Sequence, residues 1–259
     1  MTDCKRMLDK GKEMTQNGLF QVSAGSGYKI IVPSRFADEL RNNETLSFSE
    51  VTRKGFYGDP PGFDSMKEAS RADNLTVDMV RTKLTQALGL VTDDIVDEAT
   101  YAIDKWFGES LDWRTHRIKP TLCDVVARVS TRILAGKGLA RDEEYLEIAK
   151  QNTIDTFTAA QLLHGYPGLV RPLVHWFIPQ CQNLRRQAAK ARSLLTPILQ
   201  QRSVDGQELK RTGKVTDAFT WMEQTATGRP VNHVEGQLNM SLAAIHTATA
   251  TSLLVLDVI

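Results

Sequence analysis

Cysteine is scarce. Cys4, Cys123 and Cys181 are the three in a chain of 259 residues, they lie far apart, and no C-x-x-C pair occurs. That excludes the spacing of a structural zinc site and argues against a disulfide framework, and a reducing, intracellular compartment fits best. An excess of one charge is also missing. Lys and Arg number 32 against 31 Asp and Glu, a formal net charge of +1, so the basic surplus of a dedicated nucleic-acid binder is absent and no nucleic-acid partner is expected. The basic cluster NLRRQAAKARS at 183–193 reads as the solvated face of a helix. The opening MTDCKRMLDKGKEM is charged and has no apolar core of a signal peptide. Long hydrophobic runs are few. The stretch 238–259 is interrupted by Asn239, His246, Asp257 and several hydroxyls, which favours a buried core helix, with a helical membrane protein ending in a span as the lesser alternative.

What remains is mostly helical pattern. CKRMLDKGKEM predicts an amphipathic helix, and LFQVSAGSGYKIIVP predicts a hairpin turning at Gly25, Ser26 and Gly27. Ser34 is placed to cap a short helix through Phe36 and Leu40 that stops at Asn42 and Asn43. Residues 44–73 are expected to be irregular, because YGDPPGFDS carries two prolines and two glycines, and loops of this length often bind or cover something.

From Leu75 onward helices are expected nearly throughout. Val77, Val80, Leu84 and Leu88 form one apolar stripe, and Ile95, Ala99, Ala102 and Trp106 form the next. A helix opening at Pro120 is expected to bury Leu122, Val125, Val126, Val129 and Ile133 and to end before Gly136. Helices follow over about 142–163 and from 183, the latter kinked or stopped early at Pro197, with a polar loop at 203–214. DAFTWMEQTA is a short helix and Val234 opens the last one. No repeat or linker divides the chain. The expectation is a mainly α fold with a small N-terminal β element, a single domain over 1–259 with a β/helix part at 1–73 and a helical part at 74–259.

The last helix carries the chemistry. LAAIHTATAT at 242–251 sets a histidine and three threonines in an apolar stretch. A helical threonine bonds back to the carbonyl four residues earlier, here Thr247 to Ala243, and loosens the turn. Ala243 and Ala244 are small enough for another body to approach the backbone. A notch beside a loosened, hydroxyl-bearing turn can admit a planar ligand and hold an ordered proton donor.

This turn resembles the long central helix of cytochrome P-450 monooxygenases, especially a fungal group active in secondary metabolism. The family pattern there is a small residue, any residue, an acid, threonine, then a hydroxyl. Ala243, Ala244, Ile245, His246, Thr247 and Ala248 occupy the corresponding positions. His246 replaces the acid and Ala248 departs from the hydroxyl. ARVSTRILAG with RDEEYLEIA, WMEQTATGR leading into QLNMSLAAIHT, and YKIIVPSRFADELRNN are similar to segments of the same group, so the resemblance covers nearly the whole chain.

The resemblance implies a partial cytochrome P-450 fold, heme (iron protoporphyrin IX) as cofactor, an NADPH-dependent reductase as electron donor, a lipophilic small-molecule substrate such as a terpenoid or polyketide, and a place on the endoplasmic reticulum membrane face. It implies that Thr247 is the oxygen-activating threonine, that His246 assists its proton relay, and that Ala243 and Ala244 lie against heme. It also implies a W-x-x-x-R pattern whose arginine pairs with a heme propionate. WRTHR at 113–117 has the letters but lies late, whereas VDMVR at 77–81 sits on the appropriate helix. Arg81 is therefore the expected partner, its planar fork suited to a carboxylate, and Trp113 a packing residue. Residues 44–73 and 164–180 would line the substrate entrance.

The family's heme-ligating cysteine lies in a Phe-x-x-Gly segment beyond a Glu-x-x-Arg motif, and neither follows Thr247 here. The chain is expected to be a fragment incomplete at both ends, and not to form a thiolate-ligated heme. A catalytically inactive helical module is the alternative. The apolar SLLVLDVI is expected to stand exposed.

Overall fold

A computed structural model describes residues 3–24, 27–108, 112–212 and 217–256. The mainly α architecture is as the patterns predict. Helix α1 (Cys4–Met14) starts where the Asp3 carboxylate accepts from the Arg6 amide, and packs beside the antiparallel pair β1 (Phe20–Ala24) and β2 (Gly27–Ile31), in which Phe20 faces Ile31 and Ala24 faces Gly27. Gly25 and Ser26, predicted in the turn, lie outside the described residues. A 3₁₀ turn at Ser34–Phe36 leads into α2 (Ala37–Arg41), and Ser34 makes no capping bond.

The expected irregular stretch at 44–73 is partly helical. α3 (Phe48–Phe56) begins at Ser47, whose hydroxyl accepts from the Glu50 amide, and ends at Tyr57 in the left-handed region. The Asp59–Pro60–Pro61 turn separates it from α4 (Asp64–Ala69). The prolines interrupt helix only where they stand.

The next helix runs as α5 (Leu75–Met79), a π-helical turn (Val80–Leu84) and α6 (Thr85–Ala87). The predicted stripe does not survive it. Val77 is 43% and Leu88 49% exposed, while Leu75, Met79, Ala87 and Val91 are buried. A π turn inserts a residue and rotates everything after it, so a 3.6-residue period cannot name one face across Val80. Arg229 holds this helix in place by donating to the Asp73 carbonyl at 2.8 Å and to the Asp78 carboxylate at 2.8 Å.

Helices α7 (Thr92–Phe107), α8 (Ile118–Ala135) and α10 (Glu143–His164) follow the expected limits closely, and the short α9 (Lys137–Ala140), which the patterns do not predict, stands between α8 and α10. The five residues expected to be buried on α8 are half-buried. Ala127, Arg128, Thr131 and Leu134 occupy its interior instead, because α8 packs against α7, α10 and the last helix together and has no single inner face. Arg128 is buried and bonded to the Ala140 carbonyl and the Glu143 carboxylate. Trp113 is 100% exposed, which overturns its reading as a packing residue. It stands in the polar connection before α8 with nothing to pack on.

α11 (Arg171–Val174) is one short turn among the prolines of 165–179. α12 (Pro179–Thr212) runs through Pro197 and across most of the stretch predicted as a polar loop; Lys, Arg, Gln and Glu are good helix formers, so polarity alone does not mark a loop there. α13 (Ala218–Ala226) is capped by Asp217, and α14 (His233–Leu256) closes the described chain. Gly236 on α14 faces Met222 of α13 so closely that a Cβ would lie 2.5 Å from the Met222 methyl, so the two helices meet where a side chain is missing.

The largest core cluster joins α8, α10, α12, α13 and α14 through Ala127, Tyr145, Leu195, Phe219, Leu238 and Ile245. A second joins the α5 helix to α8, α13 and α14 through Met79, Leu134, Trp221 and Met240.

Candidate functional site

The long last helix changes surroundings along its length. Val234 to Ser241 are all buried, whereas after Ser241 only Ile245 and Thr249 are buried among the described residues. Ala243, Thr247, Ala248, Ala250 and Thr251 are exposed and continue into exposed Leu254, Val255 and Leu256. Alanines and threonines at i, i+4 and i+7/i+8 form one face, so the exposed part of α14 is a shallow strip of small side chains. Leu254, Val255 and Leu256 are exposed as the sequence predicts, Asp257, Val258 and Ile259 lie outside the described residues, and the stretch expected as a buried core helix is wholly buried only as far as Ser241.

The back-bonding read from the sequence is present. The Thr247 hydroxyl donates to the Ala243 carbonyl, and the Thr251 hydroxyl to the Thr247 carbonyl at 3.0 Å. Each oxygen keeps lone pairs free to accept a proton from a group on the strip. Ala244 sits at the strip's edge, packed against the second core cluster with Val80 and Leu84. Those two residues flank Arg81 on the π turn. Arg81 is exposed and makes no hydrogen bond or ion pair among the described residues. The structure thus brings the Arg81 turn and the Ala243–Thr247 turn to one cluster by way of their neighbours. His246 turns elsewhere: its Nε2 lies 3.1 Å from the Lys150 carbonyl of α10. A carbonyl only accepts, so Nε2 carries the proton.

The residues of the strip fit one side of a flat macrocycle, with small side chains to rest on and a hydroxyl beside them. The thiol donors do not complete such a site. Cys123 is half-buried beside Thr249, on the inner side of α14, and burial pushes its thiol up, away from thiolate. Cys181 is buried in a different cluster and its thiol is likewise pushed up by burial, and Cys4 lies on α1.

A second feature lies between the two segments expected to form an entrance. A cavity of about 570 Å³ is lined by Arg53, Tyr57, Pro60, Leu163, Arg171 and His175, among others. The Tyr57 hydroxyl is 2.7 Å from His164 Nδ1, and His164 Nε2 is 3.0 Å from the Gly55 carbonyl. Nε2 must donate to that carbonyl, so in the neutral ring Nδ1 accepts from Tyr57. Sequence reasoning named neither residue. They stand 107 positions apart, and nothing local to either announces the other.

A mainly α fold whose long last helix opens a strip of alanines and threonines is the arrangement implied by the cytochrome P450 resemblance, and comparison with known proteins bears the kinship out. The chain is 38% identical over 237 residues to cytochrome P450 monooxygenase bsc2 of Alternaria brassicicola, covering 90% of this chain and 45% of that protein. It is 34% identical over 259 residues to cytochrome P450 monooxygenase bsc11 of the same fungus, covering 95% of this chain and 50% of the relative. To dihydromonacolin L monooxygenase mokC of Monascus pilosus it is 34% identical over 225 residues, covering 85% and 43%. No family model matches the chain. It is a relative of the fungal cytochrome P450 monooxygenases, and it spans about half the length of the curated relatives it matches.

Proposed function

We propose that this chain is the oxygen-activation part of a heme-dependent cytochrome P450 monooxygenase of fungal secondary metabolism. The observation that carries the reading is the open strip on α14, where Ala243, Thr247 and Thr251 are exposed together. Heme, when bound, supplies the iron at which O2 is activated for insertion of one oxygen atom into a lipophilic small molecule. Ala243 and Ala244 give its macrocycle a flat seat, and Arg81, without a carboxylate partner of its own, is the cation for a propionate. Thr247 holds a water at the strip: its proton is committed to the Ala243 carbonyl, so the hydroxyl oxygen accepts and orients the water's second proton outward. His246 would join this relay through Nδ1. Electrons would come from an NADPH-dependent reductase, and the cavity beside Tyr57 would lie on the substrate's way in. The expected substrate is terpenoid- or polyketide-like, and the expected location is the endoplasmic reticulum face.

None of Cys4, Cys123 and Cys181 is proposed as a heme ligand. Reducing the hemin-loaded chain under carbon monoxide is expected to give no thiolate-type Soret band; its appearance would overturn this assignment. The absence of a thiol from the strip also favours a second reading, a heme-free helical interaction module. Sequencing the transcript through and beyond the Ile259 codon separates the two. An open frame encoding a Glu-x-x-Arg motif and a cysteine in Phe-x-x-Gly context supports the monooxygenase, and an immediate stop supports the module.

A further inference from the structure

The cavity between α3 and the α10–α11 connection carries an unbalanced charge. Arg171 spends its Nε proton on the Leu163 carbonyl at 3.0 Å and the Tyr166 carbonyl at 2.8 Å. Its guanidinium carbon lies 4.8 Å from the centre of the Tyr57 ring. This fixes the plane of the fork while the two terminal nitrogens have no hydrogen-bond or carboxylate partner among the described residues. The neighbouring carboxylates do not compensate it. Asp59, the carboxylate in the lining, already receives Arg53 at 3.2 Å, and Lys54 reaches only Glu50 at 3.8 Å. Behind the lining residue His175, which is buried, the Arg185 Nη1 lies 3.5 Å from its Nδ1, again with no carboxylate. Burial, and then the Arg185 charge, hold His175 below its usual range, in keeping with a positive surplus there.

With its plane fixed and its terminal nitrogens left without a protein partner, the guanidinium of Arg171 is placed to take a carboxylate by two parallel bonds. The walls around it are apolar, with the Tyr57 ring, Leu163 and Pro172. The volume of about 570 Å³ suits one small molecule. We propose that this cavity takes the carboxylate end of an amphipathic small molecule, anchored on the terminal nitrogens of Arg171 with its apolar body along Tyr57 and Leu163. The inference rests on the reading of this cavity as the substrate entrance and adds the substrate's chemical class: an apolar skeleton bearing an acid.

Calorimetric titration of the purified chain with dodecanoate and with dodecan-1-ol tests it. The acid is expected to bind about tenfold more tightly than the alcohol, the range of a charge-assisted fork. Arg171→Gln is expected to bring the two within about twofold of each other, with an unchanged circular dichroism spectrum. Should that variant fail to fold, Lys54→Glu, at an exposed side chain, repeats the test by placing a negative charge at the mouth; dodecanoate affinity falls severalfold and dodecan-1-ol affinity stays. Equal affinities in the natural chain, or a preference that survives both substitutions, would overturn the proposal while leaving the entrance reading in place. Failure of both ligands to bind overturns the proposal and the entrance reading together. Inorganic phosphate displacing dodecanoate at comparable concentration would show a plain anion site and overturn the amphipathic assignment.

Discussion

Replacing Ile245 by alanine and, separately, Ala243 by leucine asks whether α14 has one buried and one open face. Ile245 is 0% exposed and belongs to the largest core cluster. The substitution removes three carbons at about 0.8 kcal/mol each and leaves a cavity that neighbours on α8 and α10 fill only in part. Large-to-alanine changes of this kind cost about 2–5 kcal/mol, and the better helix propensity of alanine returns only a few tenths. A loss of about 3 kcal/mol is expected. Ala243 is two positions away and on the exposed side. Leucine there meets no protein, so stability should change by no more than about 0.5 kcal/mol.

Urea unfolding followed by circular dichroism gives both numbers, as a shift of midpoint at unchanged slope for the first variant and almost no shift for the second. The informative quantity is the difference between them. An Ala243→Leu cost near that of Ile245→Ala would mean that the strip is filled by protein, and the seat proposed for heme would be lost with it. A small cost for Ile245→Ala would mean that α14 is not held in the core as described.

Gly62→Ala should destabilise by about 1–3 kcal/mol in thermal unfolding, because Gly62 has φ +99 and its Cβ would stand 3.1 Å from the Arg185 backbone nitrogen and 3.2 Å from the Leu184 Cβ; an unchanged Tm refutes the close approach. Glu235 is buried, and desolvation, then the Asp64 carboxylate, push its carboxyl up against the opposing pull of Arg192. A carboxyl raised on folding stabilises the fold at pH values below its unfolded pKa, and that contribution is lost as pH rises through the folded value. Glu235→Gln should therefore be more stable than the natural chain at neutral pH, with the gap closing toward acid; a gap that widens toward acid sinks the argument. Pro197→Ala is expected to stabilise α12, since an interior proline forfeits one helical bond, and an unchanged unfolding midpoint would show that the bond is already replaced.

What the sequence revealed follows the range of the interaction. Asp142 and Asp217 cap α10 and α13 by accepting from amides three residues on, and those boundaries were readable because the cap and its partner sit in one short window. Ser47 caps α3 in the same way, a local signal masked by the stronger helix-breaking signal of Pro60 and Pro61. The stripe through Val77 and Leu88 failed for a different reason. Its residues are the right types, but the π turn at Val80–Leu84 changes the angular step, and no residue there announces it. Arg128 inside α8, and Tyr57 on His164, are matters of which distant element arrives. Periodicity contains no information about that.

Threonine on α14 shows the same boundary within five residues. Thr247, Thr249 and Thr251 each donate to the carbonyl four positions back, those of Ala243, Ile245 and Thr247. By sequence and by local bonding they are equivalent. Packing makes them different: Thr249 is buried against α8 beside Cys123, and Thr247 and Thr251 stand in the open strip. The back-bonded Thr249 hydroxyl is enclosed by protein, with its proton used and the Cys123 thiol beside it, so no water or ligand need meet it. The same hydroxyl on an open face still accepts, and can orient a water or a ligand without breaking any bond that holds the helix. Spacing therefore identified a set of threonines, and the fold divides that set into one structural member and two that are available for function.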